Sequence, residues 1–373
     1  MKILHIADLH LGKKIYGYSL IDDQKFFLDE TIKLMKDEEI SHLIIAGDIY
    51  DISNPAGEAI TLFSDFLKSL KDNHIKAFIV PGNHDSKART GYASKILNDS
   101  GIYINSDIKE ALNPIEEDGI NYYLIPYTTS AEINAVFNQE FKEYKEALRY
   151  VVSQMIIDKT KVNIAVSHQF VLNGNNELPS LGNSEEPAIG DIIYIPSSIY
   201  QDFTYTALGH IHKPQNITDT IRYCGSPFPY HIDEVKYNKE YTILEINDDA
   251  ISIKTKEIEP RKKTVVLRDT FDNLLKKHEE NRDDYVYAVI TDGEKENAMG
   301  ILKEVYPYII TLSIEKKDIK GVDLSLKIKE IENVTYPELF SSFYKDQCGE
   351  ELTDFQKEIV DKLLNKGGDD DED

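Results

Sequence analysis

Five short motifs rich in carboxylates and imidazoles recur along this chain. They are Asp8-Leu9-His10, Gly47-Asp48-Ile49-Tyr50-Asp51, Gly82-Asn83-His84-Asp85, Ser167-His168 and Gly209-His210-Ile211-His212. An Asp-x-His triplet at a strand end points two side chains of one parity to the same side, where both can reach one cation. Asp48 has two carboxylate oxygens to share between two cations, and Gly47 before it permits a close backbone approach. Asn83, His84 and Asp85 offer a neutral oxygen, an imidazole and a carboxylate in succession. His210 and His212 fall on one strand face, so that one can serve each cation. Asp-x-His alone arises by chance in roughly every second chain of this length, but Gly-Asn-His-Asp in only about one chain in a thousand. Together the motifs describe a binuclear metal site, and mixed oxygen and imidazole ligation suits Mn²⁺, Fe²⁺ or Zn²⁺.

The motifs depend on the elements that precede them. Each closes an apolar run, at 2–7, 42–46, 77–80, 162–166 and 205–208. Continuous Val, Ile and Leu runs suit strands covered on both faces. Helical patterns at 22–38, 57–72 and 131–158 alternate with them, and short strands with tight turns follow from 205 to about 258. The expected fold is α/β (α+β), a two-layer β-sandwich flanked by helices. Of ten histidines, His10, His84, His168, His210 and His212 lie in the motifs. His5, His42, His74, His231 and His278 lack such a setting and read as structural or surface residues.

Composition excludes several classes. Hydrophobic content of 41% is ordinary for a globular protein, and no apolar run approaches the roughly 20 residues of a membrane helix. The chain enters a strand at once, without the regions of a signal peptide. Cys224 and Cys348 are too few and too far apart for a disulfide framework. A cytoplasmic, reduced protein that meets no membrane is expected. A net charge of −24 argues against tight unaided binding to nucleic acid. A DNA substrate would need a partner to supply much of the grip.

The expected domains are 1–263 for the metal-binding core, 264–335 for a small α+β cap, 336–366 for a helical segment and 367–373 for a disordered acidic tail. Arg261-Lys262-Lys263 after Pro260 marks the first boundary. In the cap, helices at 271–280 and 296–305 lead to strands at 284–290 and 308–314. In the last segment Thr353-Asp354-Phe355-Gln356 fits a capping box. Phe355, Ile359, Val360, Leu363 and Leu364 share one helical face, and Leu339, Phe340 and Phe343 cluster upstream. Such a face packs on its own domain or waits for a partner.

The motifs resemble the calcineurin-like metallophosphoesterase family, and within it the branch of double-strand-break repair nucleases of the SbcCD type. The likeness is carried by Asp8-Leu9-His10-Leu11-Gly12-Lys13, Ala46-Gly47-Asp48-Ile49-Tyr50-Asp51, Leu208-Gly209-His210-Ile211-His212 and Tyr223-Cys224-Gly225-Ser226-Pro227. It covers residues 1–260 well and the remainder loosely. It implies two divalent cations, with Mn²⁺ in the active nuclease. Asp8, His10 and His212 would hold the first, Asn83, His168 and His210 the second, and Asp48 would bridge them. His84 would be the free catalytic imidazole, oriented by Asp51, Asp85 or both. Lys13, Tyr16 and Arg89 follow the motifs closely and are candidates to meet phosphates. Ser226 is either a turn residue or a substrate contact.

The resemblance further implies a DNA nuclease acting in repair, recombination and replication. Its activities would be a 3′-to-5′ exonuclease on duplex ends and an endonuclease on single strands and hairpins. It also implies a coiled-coil ATPase partner of the SbcC type, engaged through the C-terminal helices, and a homodimer of the nuclease subunit within a heterotetramer. A phosphatase or small-molecule phosphodiesterase on the same core is the nearest rival, and a non-catalytic scaffold a more distant one.

Overall fold

A computed structural model describes residues 1–172, 180, 194–247, 250–315, 337–338, 340–341, 344–345 and 351–364. The chain divides into two compact units, Met1–Glu315 and Lys316–Asp373.

The first unit is built on two six-stranded sheets. In the first sheet β1 (Lys2–Ile6), β2 (His42–Ala46), β3 (Lys76–Val80) and β4 (Ile102–Ile104) run parallel. The second contains β5 (Ile115–Glu117), β6 (Ile120–Ile125), β7 (Val162–His168), β8 (Tyr205–Gly209), β9 (Gln215–Asn216) and β10 (Ile221–Tyr223). Its central strands β6, β7, β8 and β10 are parallel to one another. The antiparallel hairpin of β11 (Glu240–Asn247) and β12 (Ala250–Glu257) returns to the first sheet and pairs with β1.

Strands buried on both faces explain the continuous apolar runs. Ile3, Ile44, Phe78, Tyr122, Leu124, Ile164, Val166 and Tyr205 fill the space between the sheets. Phe78 stacks on Tyr122, with ring centroids 3.5 Å apart. Truncating such a packed ring to alanine costs about 3–5 kcal/mol. Leu4, Leu43 and Ile45 on the other face of the first sheet meet Phe27 and Leu34 of α1 (Ile21–Asp37) and Phe63 and Phe66 of α2 (Gly57–Asp72). Tyr123, Ile125 and Ala165 of the second sheet meet Ile133 of α3 (Ser130–Phe137) and Leu148 and Val151 of α4 (Tyr144–Ser153).

The single helix expected over 131–158 is two helices. Thr129 opens α3 with a capping box closed by Glu132, and Asn138 ends it in a left-handed conformation (φ 52°). Asparagine adopts that conformation more readily than most residues, which stops the helix well before Tyr144.

From Thr264 the chain forms a separate three-stranded parallel sheet of β13 (Thr264–Asp269), β14 (Tyr285–Ile290) and β15 (Ile309–Ile314). Phe271 and Leu274 of α5 (Phe271–Lys276) and Leu302 of α6 (Ala298–Val305) cover it with a cluster of their own. The other face reaches the sandwich, where Tyr285 donates to Asp23 Oδ2 at 2.8 Å.

In the second unit the described residues include α7 (Asp354–Leu364). Thr353 N donates to Gln356 Oε1 at 2.9 Å, and Gln356 N donates back to Thr353 Oγ1 at 3.4 Å. Phe355 and Ile359 are exposed. Leu339, Phe343, the side chains of Leu363 and Leu364, most of the expected helical segment before 351 and the acidic tail lie outside the described residues. Among the described residues no helix is long and apolar enough to cross a membrane.

Candidate metal centre

Parallel strands end together, and loops at their carboxyl ends are where open α/β sheets gather functional groups. Asp8 and His10 follow β1, Asp48 follows β2, and Asn83 and His84 follow β3. His168 closes β7, and His210 and His212 follow β8. The two sheets thereby bring all eight side chains to one edge of the sandwich.

The backbone is strained where it turns into this site. Asp8, His10, Asp48 and His210 all have positive φ, at 54°, 43°, 48° and 101°. Non-glycine residues rarely adopt such angles outside sites where surrounding structure enforces them. Packing is equally tight. A Cβ on Gly82 would lie 2.2 Å from Asp48 Oδ1, and one on Gly47, itself at φ 92°, would lie 2.2 Å from His168 Nδ1.

Two groups of potential ligand atoms result: Asp8, His10 and His212, and Asp8, Asp48 and His168. His10 Nε2 and His212 Nε2 stand 3.2 Å apart. Asp48 Oδ2 lies 3.2 Å from His168 Nε2 and 3.7 Å from His10 Nε2, between the two groups. Asn83 Oδ1 completes the second side, 3.0 Å from His168 Nε2 and 3.2 Å from His210 Nδ1.

The hydrogen bonding of these residues fits divalent cations. Asp8 Oδ2 and Asp48 Oδ2 are buried without a hydrogen-bond partner. Such atoms are costly unless something positive meets them. His168 Nδ1 donates to the Ala46 carbonyl at 2.8 Å, so its Nε2 is the nitrogen left to face Asn83 and Asp48. In the neutral ring a lone pair there would face oxygen acceptors, an arrangement that a cation or a second proton resolves.

The electrostatics agree. Burial raises the Asp8 carboxyl to about 6, aided by Asp48 and opposed by His168 and His212. Burial pushes against ionisation of Asp48 too, yet His168, His10 and His84 hold it well below the usual carboxylate range. Burial would lower His168, but Asp48 and Asp8 outweigh it and raise the imidazole to about 10. The pocket therefore favours positive charge at the position where His168 meets Asp48. His10 is lowered by burial to about 4 and remains a neutral donor at neutral pH.

His84 sits at the rim of this cluster, its ring centroid 4.9 Å from that of His10. Its backbone N–H donates to Asp48 Oδ1 at 2.9 Å. Its Nδ1 lies 2.8 Å from the backbone carbonyl of Asp51. Of the two residues expected to orient His84, Asp51 meets it, through its backbone carbonyl and not its carboxylate, and Asp85 does not. The Asp51 carboxylate turns away, accepts from Lys13 Nζ at 2.7 Å, and lies 3.6 Å from His10 Nδ1. Burial opposes its ionisation, but His10 and Lys13 lower it to about 2. The buried Asp85 carboxylate accepts from the backbone N–H groups of Ile49, Tyr50 and Gly82. That fixes the two loops to each other and leaves no oxygen for His84.

Of the candidate substrate contacts, Lys13 lies at the site beside Asp51 and over the Tyr230 ring, 5.1 Å from its centroid. Tyr16 is exposed on the loop beyond it, edge-on to Tyr287. Arg89 is exposed on a short helix after Asp85. Ser226 is corrected: it is buried, donates to the Phe228 carbonyl at 2.8 Å and accepts from Lys239 at 2.8 Å. A hydroxyl so engaged has no face for substrate.

Sequence reasoning missed four supporting residues. Gln24 of α1 donates to the His10 carbonyl at 2.8 Å and accepts from Gly12 N–H at 2.9 Å, clamping the first loop. Tyr230 OH donates to the Leu9 carbonyl at 2.7 Å. Glu234 Oε1 is 3.2 Å from His212 Nδ1, and Lys239 Nζ is 2.5 Å from Glu234 Oε2. Burial opposes ionisation of Glu234, but His212 and Lys239 lower its carboxyl to about 2. None of the four lies in a motif. Glu234 and Lys239 stand among Asp233, Lys236 and Glu240, so nothing in the sequence singled them out.

With this geometry, comparison with known proteins is informative. A family model described as calcineurin-like phosphoesterase matches residues 1–214. The chain belongs to the calcineurin-like phosphoesterase family and is a metal-dependent phosphoesterase. It is 31% identical over 376 residues, covering 98% of each chain, to a Staphylococcus saprophyticus protein named as the SbcD subunit of the nuclease SbcCD. Among solved structures it is similar to a dimetal phosphatase from Danio rerio, at 12% identity and a TM-score of 0.43, covering 69% of this chain and 96% of that one. A Thermus thermophilus protein is similar at 10% identity and a TM-score of 0.41, covering 69% and 99%.

Proposed function

We propose that this chain is the nuclease subunit of an SbcCD-type complex, hydrolysing DNA phosphodiester bonds with two divalent cations, Mn²⁺ foremost. The observation that carries the metal reading is the Asp48 carboxylate standing between His168 and His10. Similarity along 98% of the chain to a protein named as a subunit of the nuclease SbcCD supports the substrate. In this reading Asp8, His10 and His212 would hold one cation and Asn83, His168 and His210 the other, with Asp48 available to both. Two cations so held would supply Lewis acidity toward water and the phosphoryl oxygens.

The chain's own residues do the rest. The Asp51 carbonyl holds His84 by Nδ1–H, which leaves Nε2 as the atom that faces substrate. From there His84 stabilises or protonates the departing oxygen. Lys13 at the rim adds positive charge beside a scissile phosphate. With a net charge of −24, the chain draws much of its hold on DNA from a coiled-coil ATPase partner. The exposed Phe355 and Ile359 on α7 belong to the surface that meets this partner. The assembled form contains two nuclease subunits. Cleavage is 3′-to-5′ from duplex ends, with endonucleolytic action on single strands and hairpins.

The test is Mn²⁺-dependent degradation of end-labelled blunt duplex DNA by wild type and His84→Gln, alongside a chromogenic phosphodiester. Shortening from the 3′ ends by wild type alone is expected. Hydrolysis of the small ester by the chain and its partner together, with intact DNA, would instead make it a small-molecule phosphodiesterase.

A further inference from the structure

Strand β6 runs parallel to β7 and ends at the same edge, but its end carries Pro126-Tyr127-Thr128 in place of Asp, Asn or His. The register sets Ile125 beside Ser167, so Pro126 and Tyr127 leave the sheet next to His168. The Tyr127 ring stands edge-on to the His168 imidazole, with centroids 6.5 Å apart and planes at 81°. It is half-buried, and among the described residues its hydroxyl meets no hydrogen-bond partner.

The loop that carries this ring is tied down on both sides of it. Tyr127 N donates to the carbonyl of Pro81, the residue before Gly82-Asn83-His84-Asp85, at 3.1 Å. Further along, Glu132 Oε2 accepts from Thr128 Oγ1 at 2.7 Å, from Thr129 N at 2.9 Å and from Lys87 Nζ at 2.7 Å. A group held on a loop fixed in this way loses little freedom when a ligand arrives, which favours binding. These bonds hold the backbone and the neighbours of Tyr127, and leave its ring partly open beside the metal centre.

Its position selects the part of a substrate it meets. Asp48 stands between His168 and His10; Tyr127 flanks the cluster at His168, and His84 flanks it at His10. A phosphodiester whose departing oxygen lies at His84 carries its other ester away from His84, on the side of Tyr127. In a nucleic acid that ester bears a sugar and a base. Base–aromatic stacking tolerates any sequence, because every base has a π-face. We propose that Tyr127 is a specificity-determining residue whose ring stacks on the base of the nucleoside that keeps the scissile phosphate. The inference rests on the nuclease reading of the site. Stacking of this kind favours nucleotide esters over simple ones while accepting all four bases.

The test compares two esters with one leaving group, using the full chain and Mn²⁺. One is the p-nitrophenyl ester of thymidine 5′-monophosphate; the other is methyl p-nitrophenyl phosphate, which lacks the nucleoside. Wild type should favour the thymidine ester in kcat/KM. Tyr127→Ala should shrink that preference by about 5–150-fold, the range of base–aromatic stacking, and Tyr127→Phe should keep it. Equal losses on both esters, as from a merely structural role, or an undiminished preference in Tyr127→Ala would overturn the role of Tyr127. So would a Tyr127→Phe protein as indifferent as Tyr127→Ala, since the effect would then belong to the hydroxyl. End-labelled duplex DNA given to the same wild-type protein with its partner separates this from the nuclease reading. If DNA is shortened and Tyr127→Ala keeps the preference, the inference alone falls. If DNA stays intact and wild type treats both esters alike, the nuclease reading falls and this inference with it.

Discussion

His84 Nδ1 and the backbone carbonyl of Asp51 lie 2.8 Å apart, while the Asp51 carboxylate points the other way to Lys13. The His84 imidazole is thus oriented by main chain, and side-chain changes at position 51 leave that contact in place. His84→Gln should lower kcat by about 10²–10⁴-fold, the usual worth of a positioned proton donor, with Mn²⁺ binding retained. Asp51→Asn should stay within about tenfold of wild-type kcat at saturating Mn²⁺, since the carbonyl persists. Steady-state kinetics with parallel metal titration separates the two. A loss at Asp51→Asn as large as that at His84→Gln would sink the main-chain account.

Gly82 offers a purely steric prediction. Its Cβ would sit 2.2 Å from Asp48 Oδ1, the oxygen that also accepts from His84 N–H. Gly82→Ala should displace Asp48, abolish high-affinity Mn²⁺ binding and destabilise the fold by about 1–3 kcal/mol, as overpacking does. Urea denaturation and metal titration give both numbers. Normal Mn²⁺ affinity in this variant would mean that Asp48 does not need its present position.

Much of this arrangement was legible in the sequence, for a physical reason. Strands covered on both faces must be apolar throughout, so an abrupt Asp or Gly-Asp after such a run marks a strand's carboxyl end. That logic places Asp8, Asp48, Asn83, His168 and His210 together at one edge. It failed where the partner of a side chain is main chain or comes from a distant loop. The Asp85 carboxylate spends both oxygens on amides of Ile49, Tyr50 and Gly82, and spacing alone cannot distinguish that from a bond to His84. Ser226 looked like a turn residue beside the site, yet its burial follows from Lys239 and Glu234, which no motif announced. The long helix over 131–158 was misread because apolar periodicity persists on both sides of Asn138, whose left-handed backbone breaks it.

Acid sensitivity should come partly from two histidines remote from the metal centre. His5 is fully buried, with Nδ1 3.1 Å from Tyr205 OH and Nε2 without a hydrogen-bond partner. Burial, reinforced by Arg222, lowers it to about 3. His42 lies between Tyr122 OH and Asp118, and burial outweighs Asp118 to bring it to about 4. Both therefore bind protons more readily in the unfolded chain, where a histidine titrates near 6.5. Their contribution is complete above that pH and is lost as pH falls toward the folded values. In that window each adds a slope approaching about 1.4 kcal/mol per pH unit. Urea midpoints for wild type and His5→Gln, compared at pH 7 and pH 5, test this. The variant, which cannot take up a proton there, should show the shallower decline. Parallel declines would mean that His5 is not held neutral.

Metal removal should be felt in stability as well as in turnover. Asp8 and Asp48 are buried together, and each has an oxygen with no hydrogen-bond partner. Two such carboxylates repel each other, and His168 beside them offsets only part of that charge. Binding to the folded state alone stabilises by RT ln(1 + [L]/Kd), about 2.7 kcal/mol for one site at a hundredfold excess over Kd. Saturating Mn²⁺ should therefore raise the melting temperature of chelator-treated protein by several degrees, and Asp48→Asn should reduce the gain to a degree or less. Differential scanning calorimetry at fixed pH measures both. An Asp48→Asn protein that gains as much as wild type would locate the stabilising ion elsewhere and remove Asp48 from the centre of the site.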